Sequence, residues 1–187
     1  MHVLYGIRLA EEGKPEKAEE IYKNGINMPK SYGEAKTFFN QEAHIYYYLG
    51  CLYEKAGQAE DAAAAFEQAA VYKAAVSEIS LFRALALLKL NRPEEAHAVL
   101  DEMLSSAENS ILNKDRRSYY GVGSPSPMPF EYNIEKNNLT DGYILKAFAL
   151  LGKAASGQND VKEEALLTIA RAVELNPYDF RIFTFRN

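Results

Sequence analysis

Apolar, small and charged residues alternate along residues 45–70 with the spacing of two amphipathic helices. Tyr46, Leu49 and Tyr53 stand at positions i, i+3 and i+7, so a helix would carry them on one face. Gly57 follows that run, and a glycine there supplies the left-handed conformation that commonly ends a helix. The alanine-rich run after the glycine has the composition of a second helix. The pattern predicts a helix, a tight turn and another helix.

The same pattern returns in the next part of the chain, at 77–110, with a constant offset between matching positions. A small residue, Gly50 or Ala84, occupies the position where two helix backbones would cross, together with Ala62 in the second helix. Small side chains there let helix axes approach to roughly 8–10 Å. Pro93 falls in the first turn of the next predicted helix, where its missing N–H does no harm. Four pairs preserve the spacing: Gly50/Ala84, Ala62/Ala96, Phe66/Leu100 and Ala69/Met103.

A weaker copy of the pattern lies at the start of the chain. Its positions are separated from their counterparts in 43–76 by more than one repeat length, so additional residues lie between the two copies. We expect those residues to form a turn at Pro29 and Gly33, followed by a helix that runs into residue 43. The matching positions are Gly6, Leu9, Gly13, Ala18, Tyr22 and Gly25.

Another weak copy lies near the end of the chain. Its first helix is predicted at about 139–154, a loop at 155–160 precedes its second helix, and Pro177 closes it. The matching small and apolar positions are Ala147, Ala165, Ile169 and Ala172. The final residues are expected to fold back over this helix pair as a cap, with Phe180, Ile182 and Phe183 against it.

The stretch 105–138 is the least regular part of the sequence. Pro125, Pro127 and Pro129 alternate there, which excludes a helix and favours extended backbone. The stretch is also too apolar for a disordered linker, so it is predicted to be an ordered insert packed against another surface. The residues expected to make those contacts are Tyr119, Tyr120, Met128, Phe130 and Tyr132.

The repeat at 43–76 resembles the tetratricopeptide (TPR) family, whose repeats are helix-turn-helix units of about 34 residues. Tyr46 stands at the family's tryptophan position, Leu49-Gly50 at its Leu-Gly, and Tyr53 at its tyrosine. The resemblance implies an all-α, right-handed superhelix of about four helix-turn-helix units with one long ordered insert. It implies a single domain, 1–187, with repeats at about 1–28, 43–76, 77–110 and 139–178 and the insert at 111–138.

The resemblance also implies where a partner would bind. Repeats of this family bind extended peptides or helices along the concave face, which is lined by the first helix of each repeat. The family's basic, asparagine-rich clamp for a C-terminal carboxylate is not expected, because Val3, Tyr47 and Leu81 stand where its first lysine could be. The carried-over concave positions are Val3, Ile7, His44, Tyr47, Cys51, Glu54, Lys55, Glu78, Leu81, Leu85, Leu88, Lys89, Asp141, Ile144, Phe148 and Leu151.

Such a groove would be largely apolar, and a protein in water rarely leaves an apolar strip bare. Two explanations stay open. The groove is filled from within, by the insert around 119–132 or by a neighbouring domain, or it accepts an apolar peptide from a partner. The three consecutive tyrosines divide accordingly: Tyr46 would face the core of its repeat, Tyr47 the concave wall, and Tyr48 the preceding helices.

Composition excludes several classes of function. The net charge is −5, the pI is about 5.3, and the densest basic cluster is the KDRR at 114–117, so nucleic acid is not an expected partner. No apolar run approaches the length of roughly 18 residues that a membrane span needs, so no membrane partner is expected either. Cys51 is the single cysteine, which excludes an internal disulfide. With no visible signal peptide, the expected location is the cytoplasm.

No combination of residues indicates catalysis or a cofactor. His2, His44 and His97 lack the spacing of a metal site, and Cys51 fits best as a small buried hydrophobe. The acidic pairs Glu94-Glu95 and Glu163-Glu164 belong in the first turns of helices, where the helix dipole favours them. Gly121-x-Gly123 lacks the context of a phosphate-binding loop. The chain is therefore predicted not to be an enzyme and to need no metal or cofactor.

The loops carry a closer resemblance. The stretches MPKSYGEAKTFFNQEAHIYYYLGCLYEKAG and YYGVGSPSPMPFEYNIEKNNL resemble the C-terminal TPR region of bacterial proteins that carry a galactose-mutarotase-like β-sandwich domain. This implies that the chain is a C-terminal fragment and a scaffolding or protein-interaction module docked to a carbohydrate-related β-sandwich. Two alternatives stay open: a free-standing adaptor that binds an apolar peptide in the groove, and an insert, 119–132, that completes an active site of the other domain.

Overall fold

The computed structural model describes residues 2–27, 42–72, 75–114 and 133–183. Every regular element in these ranges is helical, which confirms the all-α prediction for them. The predicted turn at Pro29 and Gly33 and the contacts expected of residues 119–132 lie outside the described residues. The helices are α1 His2–Glu11, α2 Pro15–Ile26, α3 Ala43–Lys55, α4 Ala59–Ala70, α5 Ser80–Lys89, α6 Pro93–Leu112, α7 Ile134–Ala155, α8 Lys162–Leu175 and α9 Phe180–Phe183, with a 3-10 turn at Asn159–Val161 before α8.

The chain divides into two compact units, Met1–Leu100 and Asp101–Asn187, and the division falls within α6. In the first unit, α1 packs against α2 and α3 against α4, while α3 also contacts α1, α2 and α5. In the second unit, α7 packs against α8. The elements within each unit are thus antiparallel helical hairpins. No helix in the described ranges combines the length and the hydrophobicity needed to cross a membrane.

Each hairpin turn closes with the same backbone hydrogen bond. The N–H of Gln58 donates to the carbonyl of Tyr53 at 2.9 Å, and one repeat later the N–H of Arg92 donates to the carbonyl of Leu87 at 2.9 Å. Such a bond is the mark of a Schellman cap, which needs a left-handed residue inside it. That residue is Gly57 (φ +74°) in the first case and Asn91 (φ +56°) in the second. Gly57 therefore caps its helix as predicted, and Asn91 occupies the equivalent position. The same bond closes the turns at Gly13 (Lys14 N–H to Leu9 O) and Gly157 (Gln158 N–H to Lys153 O).

The positions that the repeat relates to one another are buried in the structure. Gly50 and Ala84 are both buried. The group nearest to Gly50 is the ring of Phe66, since a Cβ at Gly50 would lie 2.6 Å from that ring. The small residue at position 50 therefore makes room for this ring. Each of the paired side chains exposes at most 4% of its surface: Ala62, Phe66, Ala69, Ala84, Ala96, Leu100 and Met103.

The irregular stretch is shorter than predicted. Helix α6 continues to Leu112 and α7 begins at Ile134, so the boundaries of 105 and 138 were wrong, as was a start at 139 for α7. α6 extends because its apolar spacing continues into Ala107, which is fully buried. α7 begins early because the side chain of Asn133 accepts a hydrogen bond from the N–H of Lys136 at 2.8 Å, which caps the helix.

The last residues are only partly as expected. Ile182, in α9, is buried at 5% exposure, as a cap would require. Phe180 is 75% exposed, so its predicted packing against the last helix pair was wrong. The reason is that α9 is a single turn, and only one side of it can contact α7 and α8.

Candidate interaction face on helices α3 and α5

The three consecutive tyrosines of α3 point in different directions. Tyr48 stacks on Tyr22 of α2, with 6.5 Å between ring centroids, as expected of a residue that faces the preceding helices. Tyr46 packs against the buried cluster that contains Phe66, inside its own repeat. Tyr47 lies between that core and helix α5, with its ring 6.0 Å from Phe66 and 5.8 Å from Phe82. The successive rotations of a helix, about 100° per residue, therefore separate the run into three environments.

Four rings from α3 and α5 form what we call the aromatic cluster: His44, Tyr47, Tyr48 and Phe82. Phe82 is at its centre, with centroid distances of 6.0 Å to His44, 5.8 Å to Tyr47 and 5.5 Å to Tyr48. Tyr47 and Tyr48 meet edge to face at 5.5 Å. All four are partly buried and keep contact with solvent. Tilted and edge-to-face contacts at these distances are favourable, so the cluster is held together by its own packing.

His44 is the polar member of the cluster. Its Nδ1 atom is buried and has no hydrogen-bond partner among the residues that the structure describes. Burial lowers the pKa of His44 from 6.5 to about 4, because the cationic ring would lose its hydration. At pH 7 the imidazole is therefore neutral.

Tyr47 and Cys51 lie one helical turn apart, at the edge of the cluster. Burial is the main cause that raises the pKa of both the Tyr47 phenol and the Cys51 thiol. Burial raises the pKa of Tyr48 as well. Thiolate is the nucleophilic form of cysteine. The Cys51 thiol, whose pKa is raised, therefore stays protonated at neutral pH.

We call the surface that runs along α3 and α5 from the aromatic cluster to Glu54, Lys55 and Lys89 the face of α3 and α5. The end of this face opposite the aromatic cluster is charged. Lys89 of α5 and Glu54 of α3 form an ion pair with 2.6 Å between Nζ and Oε2. Both side chains are largely in solvent, so the pair adds little stability, in the range of about 0–1 kcal/mol for exposed pairs. Lys55 is exposed nearby in sequence. The face thus runs from an aromatic end to a charged end of mixed sign.

The predicted concave residues differ in accessibility. Leu81, Ile144 and Phe148 expose only 3–4% of their surface and are core residues of their units. In α5 this follows from the spacing, since Leu81, Ala84 and Leu87 share the buried side. Glu54, Lys55, Lys89 and Asp141 are exposed, while Val3, Ile7, His44, Tyr47, Cys51, Glu78, Leu85, Leu88 and Leu151 are partly buried. Tyr119, Tyr120, Met128, Phe130 and Tyr132 lie outside the described residues.

Sequence reasoning missed Phe82 entirely and assigned Tyr48 only to the contact with α2. A signal for both exists in the sequence. Phe82 follows Tyr48 by one repeat length, so the repeat places the two aromatic residues at equivalent positions of neighbouring first helices. Equivalent positions on adjacent helices of a repeat array lie side by side, as these two rings do.

The second unit has a small polar depression of about 210 Å³. Its centre is Arg181, whose Nε and Nη2 donate to Asp179 at 2.9 and 2.7 Å and whose Nη2 donates to Asp141 at 2.5 Å. These bonds tie α9 to α7. No group of His, Cys, Asp and Glu side chains with the geometry of a metal site occurs in the part of the chain that the structure describes. The lining residues are Asn137, Thr140, Asp141, Asn176, Asp179 and Arg181.

Comparison with known proteins adds little to this geometry. No protein-family model matches the chain. No curated protein matches it. Among solved structures, the chain is similar to one described as "Crystal structure of YrrB: a TPR protein with an unusual peptide-binding site", at 14% sequence identity, with 98% of this chain and 89% of that chain covered. The TM-score is 0.34, too low for the likeness to support a conclusion about fold or function.

Proposed function

We propose that this chain is a non-catalytic protein-interaction module that binds an extended segment of a partner protein on the face formed by α3 and α5. The observation that carries the proposal is the aromatic cluster. Its four rings come from helices of two different hairpins, touch one another and remain partly exposed. Aromatic residues are enriched at the buried centres of protein interfaces, where a rigid ring gives a large contact area.

The chemistry of the face indicates what kind of segment it accepts. Tyr47 and Phe82 offer apolar surface, so the segment needs an apolar side chain as an anchor. Glu54, Lys55 and Lys89 border the charged end with both signs, which gives no strong preference for an acidic or a basic partner. Hydrogen bonds from this polar edge to the partner's backbone would fix its register.

The ionisation states support a binding role. At neutral pH His44, Tyr47 and Cys51 are all uncharged. Burial lowers the pKa of His44 and raises the pKa of Tyr47 and of Cys51, so each pKa moves further from 7 in the direction that favours the neutral form. A general base or a nucleophile in this position would need a pKa shifted toward neutrality.

For the partner itself, we propose the β-sandwich domain implied by the resemblance of the loops. The apolar segment would then come from that domain, in the same polypeptide or in the same complex. A free-standing adaptor would bind short peptides equally well without it. Titrating the chain with an isolated β-sandwich of that class separates the two, since docking predicts tighter binding to the folded domain than to any of its peptides.

The completion of an active site by residues 119–132 stays a prediction.

A peptide selection tests the module. The full chain is immobilised and random dodecapeptides on phage are selected against it, and enriched peptides are then measured by fluorescence anisotropy. We expect peptides with a recurring apolar anchor and at least tenfold weaker binding to the Tyr47→Ala variant. Tyr178→Ala is the matched control, because Tyr178 is 87% exposed and lies outside α3 and α5. Equal binding by both variants, or no enrichment because the face is filled from within, would contradict the proposal.

A further inference from the structure

We draw no further inference here: the strongest candidate, the polar depression around Arg181 between α7 and α9 in the second unit, carries none, because its charged side chains are paired with one another in the contacts that tie α9 to α7 and nothing in the described part of the chain shows what would occupy it.

Discussion

The ring of Phe66 occupies the space that a side chain at Gly50 would need. A Cβ built on Gly50 would lie 2.6 Å from Cε1 and 2.7 Å from Cδ1 of that ring, well inside van der Waals contact. Gly6 and Tyr22 are in the same relation, and the ring follows the glycine at the same spacing along the chain in both pairs. The glycine on the first helix of a hairpin and the large ring on the second are thus one packing unit.

Replacing Gly50 tests this unit. Gly50→Ala forces a methyl group against a buried ring, which costs about 1–3 kcal/mol, while the gain in helix propensity returns about 1 kcal/mol. We expect a net loss of about 1 kcal/mol in the free energy of unfolding, measured by urea denaturation. In a Phe66→Leu background the clash is gone, so Gly50→Ala should become stabilising.

Gly57 offers a control of a different kind. A Cβ there would meet no atom within 4 Å, but φ is +74°, which disfavours any residue with a Cβ. Gly57→Ala should cost about 1 kcal/mol in both backgrounds, whatever residue 66 is. A loss at Gly50 that does not depend on Phe66 would contradict the packing account.

The contact between Tyr53 and Glu19 provides the second prediction. The hydroxyl of Tyr53 donates to Oε1 of Glu19 at 2.8 Å and joins α3 to α2, while Lys23 donates to the same oxygen at 2.6 Å. Tyr53→Phe removes only the hydroxyl, so unfolding should become easier by about 1 kcal/mol. Tyr5→Phe, at a site that is 55% exposed, should change stability by less than about 0.5 kcal/mol. Equal effects of the two substitutions would show that the bond does not hold the helices together.

The third prediction concerns pH. The pKa of His44 is about 4 in the folded chain and 6.5 in the reference state, so the unfolded chain binds more protons between these values. Stability must therefore rise with pH across this window and be lost as pH falls from 6.5 to 4. A pKa lowered this far corresponds to about 3 kcal/mol.

His44→Phe isolates this contribution, because other groups titrate alike in both proteins. Unfolding free energies of wild type and variant, measured between about pH 7.5 and pH 4, should diverge by about 3 kcal/mol, with wild type losing more. Parallel curves would mean that the ring is solvated well enough to keep an ordinary pKa.

Much of the fold follows from local pattern. The constant spacing between the two central repeats placed the buried positions correctly, and Gly57 marked its turn because a left-handed cap has few alternatives to glycine. The predicted ends of α6 and α7 were wrong because the glycines and prolines between the two helices favour a loop. Ala107 and Asn133 nevertheless extend the helices from either side. A helix end depends on a few contacts, and such contacts leave little trace in composition.

The site was less accessible to sequence reasoning. The helical wheel placed Tyr46 against the core of its repeat and Tyr48 against α2, as the structure has them, because a helix rotates by about 100° per residue. In α5, the predicted concave residue Leu81 is in the core and its neighbour Phe82 is in the cluster, whereas Leu85 and Leu88 are partly exposed. Leu81 and Phe82 are adjacent and both apolar, so either one fits the helical spacing of the buried side. Only the packing of α5 against α3 and α4 decides which of the two is buried.

Arg181 gives the fourth prediction. Its side chain is 19% exposed and that of Asp179 only 9%, and the guanidinium holds the pKa of Asp179 below its usual value. Arg181→Met removes the guanidinium from this carboxylate and leaves the hydrogen bond from the backbone N–H of residue 181, so it should weaken the attachment of α9 by about 2 kcal/mol. Hydrogen exchange at the amide of Ile182 should then accelerate about thirtyfold. Arg171→Met, which breaks a pair that is 67% and 64% exposed, should leave that amide unchanged. Equal exchange rates in the two variants would mean that Arg181 does not hold α9.

The central claim is that the face of α3 and α5 binds a partner segment, and NMR mapping tests it most directly. The full chain is labelled with ¹⁵N and with ¹³C in its aromatic rings, and the tightest peptide from the selection is titrated into it. The account predicts that the ring signals of Tyr47, Tyr48 and Phe82 shift together, with one dissociation constant, and that Tyr178 stays unmoved. Shifts that leave these three rings unchanged, or that centre on another surface, would contradict it.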